Sequence, residues 1–143
     1  MNIHDWAARW GIPQAAIAEL LTEPPPVESI GGNFGSESAI QDKCRLLASA
    51  QGIVTWRNNV GAGELIKGGF VRWGLANETA AQNDRLKSSD VIGIKPGGQF
   101  YAREIKAPNW YYRGTPRELA QLNFINLVNR LGGDAAFYTA GTP

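Results

Sequence analysis

A chain of 143 residues with 43% hydrophobic content and five tryptophans has apolar mass enough for one well-packed domain and too little for two large ones. No run approaches the roughly twenty apolar residues that span a bilayer, and the start Met1-Asn2-Ile3-His4-Asp5-Trp6 has neither the basic residues nor the apolar run of a signal peptide, so a cytoplasmic protein with no membrane role is expected. The single cysteine (Cys44) and single histidine (His4) exclude an internal disulfide, a cysteine-based zinc site and a histidine-rich metal site. With no glycine-rich phosphate loop leading into Lys and Ser/Thr, no nucleotide cofactor is expected. Acid–base chemistry is left to carboxylates, lysine and metal-bound water.

In chain order, residues 4–10 and 13–22 read as short helices with Trp6, Trp10, Ile17, Leu20 and Leu21 as their apolar positions. Helices this short are marginal alone, so this extension (1–26) is expected to dock on the rest of the chain or on a neighbouring subunit. Pro24-Pro25-Pro26 stops it, and Gly31, Gly32 and Gly35 mark 27–35 as a linker. Ser36 is the N-cap of a helix whose one face carries Glu37, Ile40, Gln41, Cys44, Leu47 and Ala48, with Cys44 as core filler. Strands are expected near 53–59, 68–73, 90–95, 99–106 and 135–139, and 74–89 reads as a loop. Thr115-Pro116-Arg117-Glu118 combines an N-cap, an early Pro and a capping-box Glu. Leu122, Ile125, Val128 and Leu131 then form an apolar stripe, with Leu119 and Phe124 at its edges, and Gly132-Gly133 ends the helix.

The most informative stretch lies between Asp90 and Lys106. Val91-Ile92-Gly93-Ile94 and Gln99-Phe100-Tyr101-Ala102-Arg103 flank Lys95-Pro96-Gly97-Gly98. A three-residue loop Pro96-Gly97-Gly98, built as a type I turn followed by a left-handed Gly98, sets Lys95 against Gln99 and Asp90 against Glu104. That register places Ile92, Ile94, Phe100 and Ala102 on one face, with Asp90, Glu104 and Lys106 at its open end, because residues two apart share a strand face. Directly opposed carboxylates repel. A divalent cation removes the penalty, and oxygen ligands suit magnesium or manganese. An exposed hairpin with a solvated Glu104–Lys106 ion pair is the plainer alternative.

The segments Lys87-Ser88-Ser89-Asp90-Val91-Ile92-Gly93-Ile94 and Arg103-Glu104-Ile105-Lys106-Ala107-Pro108 resemble the PD-(D/E)XK nuclease superfamily, and most closely its VRR-NUC family, including the small stand-alone phage and bacterial members. Glu37 upstream, Thr55-Trp56-Arg57-Asn58-Asn59-Val60-Gly61 after it, and Gln121 downstream lie at the distances that pattern requires, so the resemblance covers about Ser36 to Thr139. One position departs: Lys87 stands where the family usually has Gly.

The resemblance implies an α/β fold with a restriction-endonuclease-like αβββαβ core over 36–143, its mixed central sheet flanked by helices. It implies a metal-dependent DNA endonuclease, resembling a Holliday-junction resolvase and acting as a homodimer. It assigns Asp90, Glu104, the Ile105 carbonyl and Glu37 to a Mg2+ ion that Mn2+ can replace. Lys106 would position or deprotonate the attacking water, with Gln121 orienting it or the carboxylates. On the residues alone, a surface Glu complementing the helix dipole is the better reading of Glu37, and Gln121 reads as a boundary residue bonded to backbone. A duplex nuclease or nickase without junction preference, and a DNA-binding or assembly protein that does not cut, are the alternatives.

The formal charge of +1 hides an uneven distribution: residues 53–117 carry ten Lys/Arg against five Asp/Glu, and residues 1–52 carry three against six. Arg57, Lys67, Arg72, Arg85, Lys87, Arg113 and Arg117 in the positive middle are candidate phosphate contacts. Trp110-Tyr111-Tyr112 suits either base stacking or loop packing.

Overall fold

A computed structural model describes residues 1–141; Thr142 and Pro143, the end of the domain expected over 36–143, lie outside the described residues. The chain is a mixed α/β structure whose five-stranded sheet is flanked by helices. The main sheet contains β1 (Val27–Gly31), β2 (Val54–Arg57), β5 (Val91–Ile94), β6 (Phe100–Ile105) and β7 (Asp134–Gly141), in spatial order β1-β7-β6-β5-β2. Strand β7 is parallel to β1 and β6, and β5 is antiparallel to β6 and β2. After β1, the elements that build this sheet and its two covers run α3 (Glu37–Ala50), β2, β5, β6, α5 (Pro116–Arg130), β7. None of the helices among the described residues is long and apolar enough to cross a membrane.

The two sheet faces are covered by different helices. Ile40, Cys44 and Ala48 of α3 pack with Val91, Tyr101, Ile105, Tyr138 and Ala140. On the opposite face, Phe124, Ile125 and Val128 of α5 pack with Ile92, Ala102, Ala135 and Phe137. Fully burying a side chain of the size of Phe137 contributes roughly 1.5–3 kcal/mol, so these two layers hold the sheet ends in place. Burial pushes the Cys44 thiol up to about 11, which suits the core role and no nucleophilic one. Phe124, expected at the stripe's edge, is inside it, whereas Leu131 at the helix end is exposed.

The helix starts form as their residues predict. The Ser36 hydroxyl accepts from the Ala39 amide, and Thr115 with Glu118 closes a reciprocal capping box. Gly132 follows the last turn of α5 at φ 95°, the left-handed position that ends a helix. The hairpin register also forms as expected: Lys95 N donates to Gln99 O at 2.9 Å and Val91 pairs with Arg103, which sets Asp90 against Glu104. The turn itself differs. Gly97, not only Gly98, has positive φ (91° and 89°), the left-handed second central residue of a type II rather than a type I turn.

Three further differences are a fifth strand in the main sheet, a separate hairpin and a short extra helix. Residues 27–31, expected within a linker, form β1 because β7 offers a parallel edge to them. Arg103, buried between Glu28 of β1 (2.8 Å) and Asp134 of β7 (2.9 Å), ties the three strands together. Residues 61–64 form β3 (Gly61–Glu64), which pairs with β4 (Phe70–Trp73) as a separate two-stranded hairpin, so the strand expected at 68–73 is not in the main sheet. Within 74–89 lies a short helix, α4 (Ala80–Arg85), capped by Thr79.

The N-terminal helices α1 (Ile3–Arg9) and α2 (Gln14–Leu21) pack on each other and bury Ala7 and Ile17. Trp6, Trp10, Leu20 and Leu21 remain exposed.

Candidate functional site

The carboxylates meet where β5 begins and β6 ends, under the first half of α5. Asp90 Oδ2 accepts the Ile105 backbone N–H at 2.8 Å, which pins this carboxylate to the adjacent strand. Glu104, the last-but-one residue of β6, is only 5% exposed, and its Oε1 accepts from Gln121 Nε2 at 2.8 Å. Lys106, on the same strand face, donates from Nζ to Gln121 Oε1 at 2.7 Å. Gln121 is therefore a two-sided brace that holds the acid with one end of its amide and the ammonium with the other. The Lys106 ammonium also lies 5.4 Å from the Trp110 ring centroid and 5.7 Å from that of Phe137, over aromatic faces that attract a cation.

Burial, then the nearby Asp90 charge, hold the Glu104 carboxyl well above the usual carboxylate range, with Lys106 and Arg117 opposing the rise. The fold has therefore placed the Glu104 carboxyl where its ionisation is resisted. The donors of Asp90 and Glu104 are hard oxygens. Among the described residues no group of three or more His, Cys, Asp or Glu could hold a metal ion, so the protein would supply two carboxylates, with the Ile105 carbonyl as a further oxygen. That set fits magnesium, which keeps several waters and takes one or two carboxylates plus substrate phosphate.

Glu37 does not join the pair. It is exposed in the first turn of α3, and the α3 residue that reaches the Asp90 neighbourhood is Gln41, one helical turn later. Gln41 shared the helix face with Glu37 in the sequence, so periodicity carried the signal but could not say which turn is level with the sheet end.

A cavity of about 290 Å3 opens over the carboxylates, and its lining includes Asp90, Glu104, Gln121, Lys87, Arg72 and Arg117. A second, of about 460 Å3, shares Asp90 and adds Gln41 and Arg57. Four of the seven cations expected to meet phosphate thus border the two openings. Of the others, Lys67 is at the tip of the β3–β4 hairpin, Arg85 is exposed at the end of α4, and Arg113 lies over the Tyr111 ring at 4.4 Å. Trp110 and Tyr112 pack on Phe137 at 4.8 and 5.8 Å, and Trp110 Nε1 donates to Glu118, so packing accounts for both; Tyr111 alone of the three is largely exposed.

Asn58 was missed as a positioning residue. Its amide Nδ2 donates to Ser88 Oγ (2.8 Å) and Ser89 O (2.9 Å), and its backbone N donates to Asp90 O (2.8 Å), so it fixes the approach to Asp90 from β2. Its only sequence signal was its place in the Thr55-to-Gly61 segment. Ser89, beside it, is buried with its hydroxyl unpartnered among the described residues.

No known protein family, curated protein or solved structure matches the chain.

A cation-dependent stability change is expected. Glu104 is raised in the folded state, so the folded chain keeps a proton that the unfolded chain releases near pH 4.3. Stability then falls as pH rises above that value, through the window up to the raised one. Millimolar magnesium should raise the unfolding temperature by several degrees at pH 7.5, on the order of 1 kcal/mol, and much less at pH 4.5. Thermal unfolding with and without the ion checks this, and an identical midpoint at pH 7.5 would argue against a cation at these two acids.

Proposed function

We propose that the protein is a metal-dependent DNA endonuclease of the PD-(D/E)XK type, resembling the VRR-NUC family, that cuts branched DNA in the cytoplasm. The observation that carries this reading is the single hydrogen-bonded chain Glu104–Gln121–Lys106 beside Asp90, at the end of two antiparallel strands and under a cavity bordered by cations. With β3, β4 and α4 set aside, the order α3, β2, β5, β6, α5, β7 is compatible with the αβββαβ core which the resemblance implies.

In this reading Asp90, Glu104 and the Ile105 carbonyl hold magnesium, and manganese substitutes. Such a cation lowers the pKa of water and offsets charge on a phosphoryl group. Lys106 positions the attacking water or takes its proton, and its charge stabilises the transition state. Gln121 keeps the Lys106 and Glu104 side chains in register. Arg72, Lys87, Arg117 and Arg57 contact phosphates on either side of the scissile bond. Water adds at phosphorus and the P–O3′ bond breaks, leaving a 5′-phosphate and a 3′-hydroxyl. The homodimer belongs to the same reading, since two active sites are needed to cut the paired strands of a symmetric junction.

Incubation with a four-way junction and a matched linear duplex, with magnesium, with manganese and with neither, tests the proposal. Metal-dependent cutting of the junction in preference to the duplex is expected. Equal cutting of both would leave a duplex nuclease, and tight binding without cutting in either metal would leave a DNA-binding protein.

A further inference from the structure

We propose that the β3–β4 hairpin is a wedge that enters the base stack of a nucleic-acid duplex held over the carboxylate cavity. The inference rests on the nuclease reading for where the duplex lies; the wedge itself rests on the hairpin. Strands β3 and β4 pair only with each other, apart from the main sheet. Their base is locked. Asn77, 3% exposed, donates to Gly61 O at 2.7 Å and to Trp73 O at 3.0 Å, and accepts from Arg72 at 3.1 Å. Gly74 passes so close to Val60 that an added Cβ would lie 2.6 Å from its Cα. A hairpin gripped at its base can push with its tip.

The register sets Ala62 against Arg72 and Glu64 against Phe70, so these four residues share one face. Ala62 and Arg72 line the cavity with Asp90 and Glu104, and the same face runs outward to Phe70, whose ring centroid is 5.3 Å from the Arg72 guanidinium. Beyond it the chain turns at Leu65-Ile66-Lys67-Gly68, closed by Leu65 N donating to Gly69 O at 2.9 Å. Ile66 is fully exposed (106%), with Phe70 at 61% and Leu65 at 54%. None of these side chains belongs to either core cluster, yet they are apolar and carried on a braced projection beside the site. Apolar wedges of this kind enter base steps and kink duplexes, and an exposed aromatic ring stacks on any base.

Charge selects the occupant. Lys67 and Arg72 outweigh Glu64 on the hairpin, and Lys87 and Arg117 continue the positive track along the cavity. Phosphates complement that track. A second copy docked by the same face in a two-fold dimer would set like charges against each other.

The test combines Ile66→Ser and Phe70→Ala, both exposed, in an Asp90→Asn chain expected to bind DNA without cutting it. The probe is a duplex or four-way junction carrying 2-aminopurine near the expected cut, whose fluorescence rises on unstacking. A rise of about threefold on binding is expected, falling by more than half with the two tip changes. In the otherwise unaltered protein the same changes should lower cutting of a fully paired junction or duplex about tenfold and leave cutting of the same probe already unpaired beside the cut within about twofold. Absence of a rise, or a rise that the tip changes leave intact, overturns the wedge, as does a tip variant whose mass by light scattering drops from dimer to monomer. A tip-dependent rise from a protein that cuts nothing in magnesium or manganese would retire the nuclease reading and leave the wedge standing.

Discussion

Replacing Asp90 with Asn, or Glu104 with Gln, is expected to lower cleavage by about a thousandfold or more, on the order of 4 kcal/mol of transition-state stabilisation. Each change removes one of only two carboxylates available to a cation, with no third acid close enough to substitute among the described residues. DNA affinity should hold or tighten, because a negative charge next to phosphate is lost. The Asp90 variant should also gain stability at neutral pH without added metal, since the like charge beside buried Glu104 is gone. Three measurements therefore move in different directions for one substitution: rate down, affinity level or up, metal-free unfolding temperature up. A misfolded variant would lower all three. Full cleavage by either variant would remove the assignment of these residues.

Replacing Lys106 with Met should cost about a hundredfold to ten-thousandfold in rate, the usual range for a positioned acid–base group. Methionine keeps an apolar stem of similar length against Trp110 and Phe137, so packing survives while the ammonium is lost. Gln121 would then have no donor at Oε1, and Glu104 would lose the cation that most opposes its raised pKa. The half-maximal pH of the remaining activity should therefore move upward, and magnesium should still raise the unfolding temperature. A variant that unfolds at room temperature would make Lys106 a structural residue, and one with unaltered rate would take it out of the chemistry.

The pairing of Asp90 with Glu104 was readable because it is local. Pro96 and Gly98 define a short loop, and once the loop is set, strand period two decides every opposite pair and every face. The two capped helices were readable for the same reason: Ser36 and Thr115 satisfy amides only a few residues away. Gln121 read on its own residues as a boundary residue bonded to backbone, and its double role as a brace between the Glu104 and Lys106 side chains was not visible, since these two partners lie seventeen and fifteen residues back in the chain.

What the sequence by itself determined is the set of local decisions: where helices begin, where the hairpin turns, which residues share a face, and which metal and catalytic chemistries are excluded by one cysteine and one histidine. The tertiary structure alone decided the rest. Glu28 and Asp134 meet on Arg103 because β1 finds the parallel edge of β7, more than a hundred residues away, and no local signal marks that pairing. Gln41 rather than Glu37 lines the cavity beside Asp90 because the height of α3 over the sheet is set by Ile40, Cys44 and Ala48 packing on Val91 and Tyr138. Residues 61–73 leave the main sheet with their base held by Asn77 and by the close approach of Gly74 to Asn59 and Val60. Propensity and periodicity act over a few residues, whereas edge pairing, helix height and brace contacts are settled only when distant segments compete for the same buried surface and the same backbone partners.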